Sequence, residues 1–176
     1  MSTASPSEER RERLVGLLRE AESPITGSDL ADSLGVSRQV IVNDVAIVRA
    51  SGEPIIGSPR GYVLTGEADE RPLASIACRH DLDGSRRELE ILVDRGLTVV
   101  DVVVEHPLYG EVVANLLVRS RADIDRYIEL LEVEGAQPLF VLTGGVHVHH
   151  VRVPNADALG AAERELAEAG ILLADD

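Results

Sequence analysis

The sequence has 176 residues and is 44% hydrophobic, with no Trp, one Phe and three Tyr, so any core must be aliphatic. Its length suits one domain or two small ones. No run reaches the ~18 apolar residues of a membrane span, the first residues lack the apolar segment of a signal peptide, and a single cysteine, Cys78, excludes an internal disulfide and a cysteine-only metal site. These features describe a cytoplasmic protein with no membrane association. The net charge of −14 comes from 31 acids against 17 bases, every base an arginine, which argues against a protein that coats nucleic acid.

Residues 8–22 are rich in helix formers, and Leu14, Leu17 and Leu18 form an apolar stripe at i, i+3, i+4 that Pro24 closes. A second helix starts at Thr26 or Ser28 as cap, with Asp29 in its first turn and Leu30, Ala31 and Leu34 facing inward. Gly35 breaks it. Ser37 caps a third helix with Ile41, Val45 and Val48 as its buried stripe, and Gly52 closes that one. Residues 54–56 and 62–64 are short extended pieces joined by Gly57-Ser58-Pro59-Arg60-Gly61, a hairpin.

Residues 66–72 carry almost nothing apolar and read as a linker between a first domain, residues 1–65, and a second, residues 73–176. The second opens with a strand at 73–78 and a helix at 85–94 capped by Asp83. A Val-rich strand follows at 97–105, then the turn His106-Pro107-Leu108-Tyr109-Gly110 and a strand at 111–119. Residues 121–134 form a helix with Ile124, Ile128 and Leu131 on one face. A strand lies within 140–153 after Gly144-Gly145, a helix at 156–169, and a short last strand at 171–173. Two adjacent strands in the middle of alternating elements give an α+β domain with a mixed or antiparallel sheet.

The first segment has the signature of a DNA reader. Residues 35–64 carry Arg38, Arg49 and Arg60 against Asp44 and Glu53, so they escape the acidic excess of the chain. Burying Ile41, Val45 and Val48 leaves Ser37, Arg38, Gln39, Val40, Val42 and Asn43 outside. Arginine pairs with guanine, Gln or Asn with adenine, and Val with a thymine methyl. The start of such a helix does the reading, and Arg60 at the hairpin tip can reach a phosphate or the minor groove. The competing account is a three-helix bundle used for dimerisation.

The histidines suggest a second site. His147 and His149 stand at i, i+2 in an extended segment, on one strand face and ~7 Å apart at Cα, with His150 on the other face. Imidazole suits Zn, Ni, Cu or Fe(II). Taken alone the pair is either a set of metal ligands or two hydrogen-bonded strand histidines. His80, near a strand end, and Glu88, on the following helix, are further candidates that spacing does not join to them. His106 precedes Pro107 and is extended, as a pocket donor or a plain cap. Cys78 reads as a small buried apolar residue. No Gly-x-Ser-x-Gly, Walker A loop or Gly-x-Gly-x-x-Gly is present, so an enzyme is not expected.

The segments SLGVSRQVIVNDVAIVRASG and PRGYVLTG resemble the winged helix of the niacin-responsive repressors, and DVVVEHPLYGEVVANL and LTGGVHVHHV resemble the three-histidine (3H) domain that follows it there. The likeness runs from about residue 8 to 173. It implies a winged helix-turn-helix followed by a small α/β sandwich-like 3H domain. It also implies a homodimer that binds a double-stranded DNA operator and represses genes of NAD synthesis or niacin uptake, with nicotinic acid as co-repressor. It further implies a divalent transition metal, nickel or zinc, held by His80, Glu88, His147 and His149. His106 matches the remaining signature histidine, from which we read His106 and Tyr109 as candidates for the effector pocket. The competing functions are a metal-responsive regulator without an organic effector, a metal-dependent enzyme carrying a DNA-binding domain, and a dimeric adaptor with a vestigial helix-turn-helix. In the enzyme reading, Glu105 and Glu111 are the candidate bases.

Overall fold

A computed structural model describes residues 5–65 and 69–173. The chain divides into two compact units, Met1–Ala68 and Asp69–Asp176.

In the first unit three helices surround an aliphatic core. Helix α1 spans Pro6–Glu20, two residues earlier than its leucine pattern suggests. Ser5 and Glu8 set the start: Ser5 Oγ accepts from the Glu8 N–H, and Glu8 Oε2 accepts from the Ser5 N–H at 2.6 Å, a capping box with Pro6 in the first turn. Thr26, not Ser28, caps α2 (Gly27–Leu34), and Ser37 caps α3 (Arg38–Ala50). Gly35 between them is left-handed, and the Val36 N–H returns to the Ala31 carbonyl at 3.0 Å. Ser51, one residue before Gly52, ends α3. Leu14, Leu18, Leu30, Ile41, Val45 and Val48 are buried together with Ile55. Strands β1 (Ile55–Ser58) and β2 (Gly61–Leu64) form the hairpin, and Ile25 pairs with Tyr62 on its other edge. Gly61 has φ 116°, and a Cβ there would run into the Ile25 carbonyl, so glycine is required for this third edge.

The second unit is a four-stranded antiparallel sheet with three helices. Its strands are β3 (Leu73–Arg79), β4 (Thr98–His106), β5 (Gly110–Val118) and β6 (Val146–Arg152), in the order β3-β6-β4-β5. Helices α4 (Gly84–Asp94), α5 (Arg121–Glu134) and α6 (Ala156–Glu168) bury Leu89, Leu92, Ile124, Ala162 and Leu166 with Ile76, Val99, Leu116, Val118 and Val151 of the sheet. The last strand inserts between the first two, which carries residues from the end of the chain into the middle of the sheet.

Several local features differ from the sequence reading. Asp83 occupies the N-cap of α4 without a side-chain bond, and Asp81 Oδ1 accepts from the Gly84 N–H at 3.2 Å instead. Residues 139–143 form a 3-10 helix, Leu139–Thr143, where no element is expected. The stretch 171–173 makes a single bridge, Leu172 to Cys78, and not a strand. The sheet has no parallel pair among the described residues. Of the segment read as a linker, residues 66–68 lie outside the described residues. Residues 69–72 are tied to the second unit: Arg71 pairs with Asp69 and donates to Thr98 at 2.9 Å, and its carbonyl accepts from Arg152 at 2.8 Å. Asp69 is held down to about 2 by the hydrogen bond from Arg71.

Candidate metal centre and DNA-reading helix

Three imidazoles converge on one carboxylate in the second unit. His80 follows the end of β3, Glu88 sits on α4, and His147 and His149 lie on β6. The register pairs Cys78 with His147 and Ile76 with His149, so both histidines face the helices. His80 Nε2 is 2.8 Å from Glu88 Oε2, His147 Nε2 is 3.1 Å from Oε1, and His149 Nε2 is 3.3 Å from Oε2. The side chains of all four are at most 4% exposed.

The other ring nitrogens explain why the Nε2 atoms point inward. His80 Nδ1 donates to the Asp81 carbonyl at 2.6 Å, His147 Nδ1 to the Gly145 carbonyl at 2.8 Å, and His149 Nδ1 to the Asp101 carbonyl at 2.6 Å. A carbonyl only accepts, so each Nδ1 carries the proton and fixes its ring. This is the arrangement that orients metal-binding histidines. Three imidazole nitrogens and one carboxylate suit a borderline divalent transition ion and not Mg or Ca.

Electrostatics bind the cluster into a unit. Burial pushes the Glu88 carboxyl up, but the charge of His149 and the hydrogen bonds from the three histidines hold it well below its ordinary value. Burial pushes His80 and His149 down, but Glu88, with Asp81 for His80 and Asp101 for His149, pushes them up, leaving both above the ordinary imidazole value. Burial, then the charge of Glu88, holds the Cys78 thiol far up and takes Tyr127 to about 12.

Of four supporting residues, Phe140, Gly84 and Asp101 escape the sequence reading, and Gly145 belongs to the Gly-Gly pair that it noted. Phe140, on the 3-10 helix, stacks on His147 with centroids 5.0 Å apart and meets the edge of His80 at 4.8 Å. Gly145 has φ 94°, and a Cβ there would strike the His80 carbonyl. Gly84 leaves room for the His80 ring, since a Cβ would lie 2.8 Å from its Cγ. Asp101 sits at a register shift in β4, where a bulge re-aims the backbone. Its carbonyl anchors His149, and its carboxylate accepts from His150 Nδ1 at 2.8 Å and from the His150 N–H at 3.2 Å. His150 is thereby engaged by Asp101, away from the cluster. Cys78, read as a plain apolar residue, lies inside the cluster: its Sγ, a Glu88 oxygen and a His147 nitrogen are all within 4.8 Å of one another. Burial and the Glu88 charge keep the Cys78 thiol neutral beside the carboxylate. Strand register alone brings it there. The Gly-Gly pair before His147 was the one sequence signal for this packing.

His106 ends β4, and its ring stacks on Tyr109 with centroids 4.9 Å apart, while the Leu108 N–H donates to His106 Nδ1 at 3.2 Å. Tyr109 and Leu108 are 72% and 74% exposed. The structure joins this pair to each other, and no hydrogen bond or ring contact among the described residues joins it to the Glu88 cluster.

In the first unit, Ser37, Arg38, Gln39 and Asn43 are exposed along the start of α3, and Val40 and Val42 are half-buried. Gln39 Nε2 donates to Asn43 Oδ1 at 3.1 Å, which orders these two exposed side chains as a pair. Arg38 leans over the start of α2, where a Cβ on Gly27 would lie 3.5 Å from its Nε. Arg60 is at the hairpin tip, and its N–H donates to Ser58 Oγ at 3.2 Å. Arg49 serves the hairpin instead: its Nε donates to the Ile55 carbonyl at 2.7 Å, and its guanidinium lies 5.8 Å from the Tyr62 ring centroid. Asp44, an acid on the inner face of α3, is 2% exposed and accepts from both Arg10 Nε at 2.6 Å and Arg10 Nη2 at 3.2 Å.

No helix among the described residues is long and apolar enough to cross a membrane. Residues 10–63 match the HTH domain, and residues 74–175 match the 3H domain. The chain is 39% identical over 169 residues to the transcription repressor NadR of Bacillus subtilis (strain 168), covering 94% of each. It is 37% identical over 166 residues to the probable transcription repressor NiaR of Thermotoga maritima, again covering 94% of each. Both relatives are named as repressors and not as enzymes. The chain belongs to the NiaR-type family of transcription repressors, an HTH domain followed by a 3H domain.

Proposed function

We propose that this repressor acts on genes of NAD metabolism or niacin uptake in the cytoplasm, with nicotinic acid as co-repressor and a divalent transition ion, nickel or zinc, in its 3H domain. His80, Glu88, His147 and His149 hold the ion. The single observation that carries this reading is that three histidines, each fixed through Nδ1 by a backbone carbonyl, aim Nε2 at one buried carboxylate. When bound, the ion supplies a Lewis-acidic point for the ring nitrogen or carboxylate of a pyridine acid. The chain's own contribution is to tie the end of β3, helix α4 and strand β6 to one centre, so that a ligand there biases the packing of all three. His106 and Tyr109 shape the outer effector pocket.

The DNA contact is made by Ser37, Arg38, Gln39, Val40 and Asn43 in the major groove, with Arg60 on the backbone or minor groove. A homodimer presents two such helices to half-sites about 34 Å apart. The effector must bind the DNA-competent state better than the other, and coupling of ~1–3 kcal/mol is typical.

The test is calorimetry with nicotinate and nicotinamide against metal-loaded and chelator-stripped protein. Nicotinate binding that requires the ion is the expected result. Metal uptake with no binding of either pyridine would overturn the effector assignment and favour a regulator that senses the metal itself.

A further inference from the structure

Among the described residues, Ser85 Oγ is the one buried side-chain polar atom with no hydrogen-bond partner. Ser85 is 3% exposed and lies in the first turn of α4, three residues before Glu88, on the same buried face. Helix positions i and i+3 are neighbours, about 5–6 Å apart at Cβ. Side chains lean toward the helix N-terminus, which is the direction in which Ser85 lies from Glu88. A buried hydroxyl without a partner is destabilising, and natural cores seldom keep one without a role. The usual partner of a helical serine is the carbonyl four residues earlier. Here that is the Asp81 carbonyl, which already accepts from His80 Nδ1 at 2.6 Å and from the Gly84 N–H at 3.2 Å.

The Glu88 oxygens are served by the Nε2 atoms of His80, His147 and His149. Those Nε2 atoms are also the ligand atoms of the metal centre proposed above, on which this inference rests. An ion held there takes them as its own. A Glu88 oxygen that does not ligate then needs another donor, because the side chain is 2% exposed. The nearby Cys78 thiol is a weak donor. We infer that the Ser85 hydroxyl donates to that oxygen and fixes Glu88 as a ligand, which makes Ser85 a positioning residue of the centre.

The experiment titrates Zn²⁺ into the full chain by competition with a chromophoric chelator, and melts each variant with and without the ion. Ser85→Ala is expected to bind Zn²⁺ about 10–100-fold more weakly, the usual effect of losing an outer partner. Stripped of metal, it should melt at or above the wild-type temperature, since the partnerless hydroxyl is gone. Ser85→Thr keeps the hydroxyl and should restore affinity to within a few-fold. Wild-type affinity in Ser85→Ala, or equal weakness in Ser85→Thr, would overturn the inference and leave the metal centre standing. A wild-type chain that takes up no Zn²⁺ or Ni²⁺ would remove the centre itself and the inference with it.

Discussion

His147 Nε2 meets Glu88 Oε1 at 3.1 Å across 59 residues of chain. The contact joins β6 to α4 and stands at the middle of the cluster, since His147 also touches the rings of His80, His149 and Phe140. His147→Ala and His149→Ala are expected to abolish tight metal uptake and nicotinate-dependent operator binding. In wild-type protein, metal at 100 times its Kd should stabilise the fold by about 2.7 kcal/mol. Thermal melts with metal and with chelator check this, and unchanged nicotinate-dependent operator binding in the double variant would refute the route through these histidines.

Gly145 tests how the cluster is seated. Its positive φ and its contact with the His80 backbone exclude a side chain, and its carbonyl is the anchor of His147 Nδ1. Gly145→Ala should cost ~1–3 kcal/mol of stability and weaken metal binding in the same variant. Gly144, also at positive φ but with open space around it, should tolerate alanine with a smaller loss and no change in metal affinity. Equal effects at both positions would argue against the close approach to His80.

Asp44 and Arg10 lock α3 to α1. Removing the acceptor leaves a guanidinium facing a buried gap, whereas an amide keeps one acceptor. Asp44→Ala should lower the melting temperature of the first unit by roughly 5–10 °C, with Asp44→Asn less affected. Calorimetry of the full chain separates this transition if the second unit melts independently. A neutral Asp44→Ala would assign the pair to the surface.

The reading residues and the scaffold residues of the first unit should separate cleanly. Arg38→Ala and Gln39→Ala are expected to weaken operator binding by about 10–100-fold, the worth of a base contact of ~1–3 kcal/mol, with little change in melting temperature. Arg49→Ala should lower stability by releasing the Ile55 carbonyl and the Tyr62 ring. Gel-shift titration at fixed salt, paired with melts, distinguishes the two. Loss of stability in Arg38→Ala would place that residue in the scaffold.

Much of the first unit was legible because its signals are local. Thr26 and Ser37 cap helices, Gly35 takes the left-handed turn, and Ile41, Val45 and Val48 recur at helical spacing, all within reach of a few residues along the chain. Asp44 was not legible: its charge and position on α3 give no sign of Arg10, 34 residues away. In the second unit, alternation was enough to put His147 and His149 on one strand face. The resemblance to a family, not spacing, linked them to His80 and Glu88.

What the sequence determined by itself was therefore the period of most elements, the caps of α2 and α3, and which residues share a face. What the tertiary structure decided was which faces meet. Inserting β6 between β3 and β4 sets Cys78 opposite His147 and brings the Asp101 carbonyl to His149. Those partners depend on strand order, register and one bulge, which are fixed by packing over the whole sheet. Local pattern specifies φ, ψ and amphipathicity; it carries no information about the pairing of segments 50 or more residues apart on the order of a domain's length.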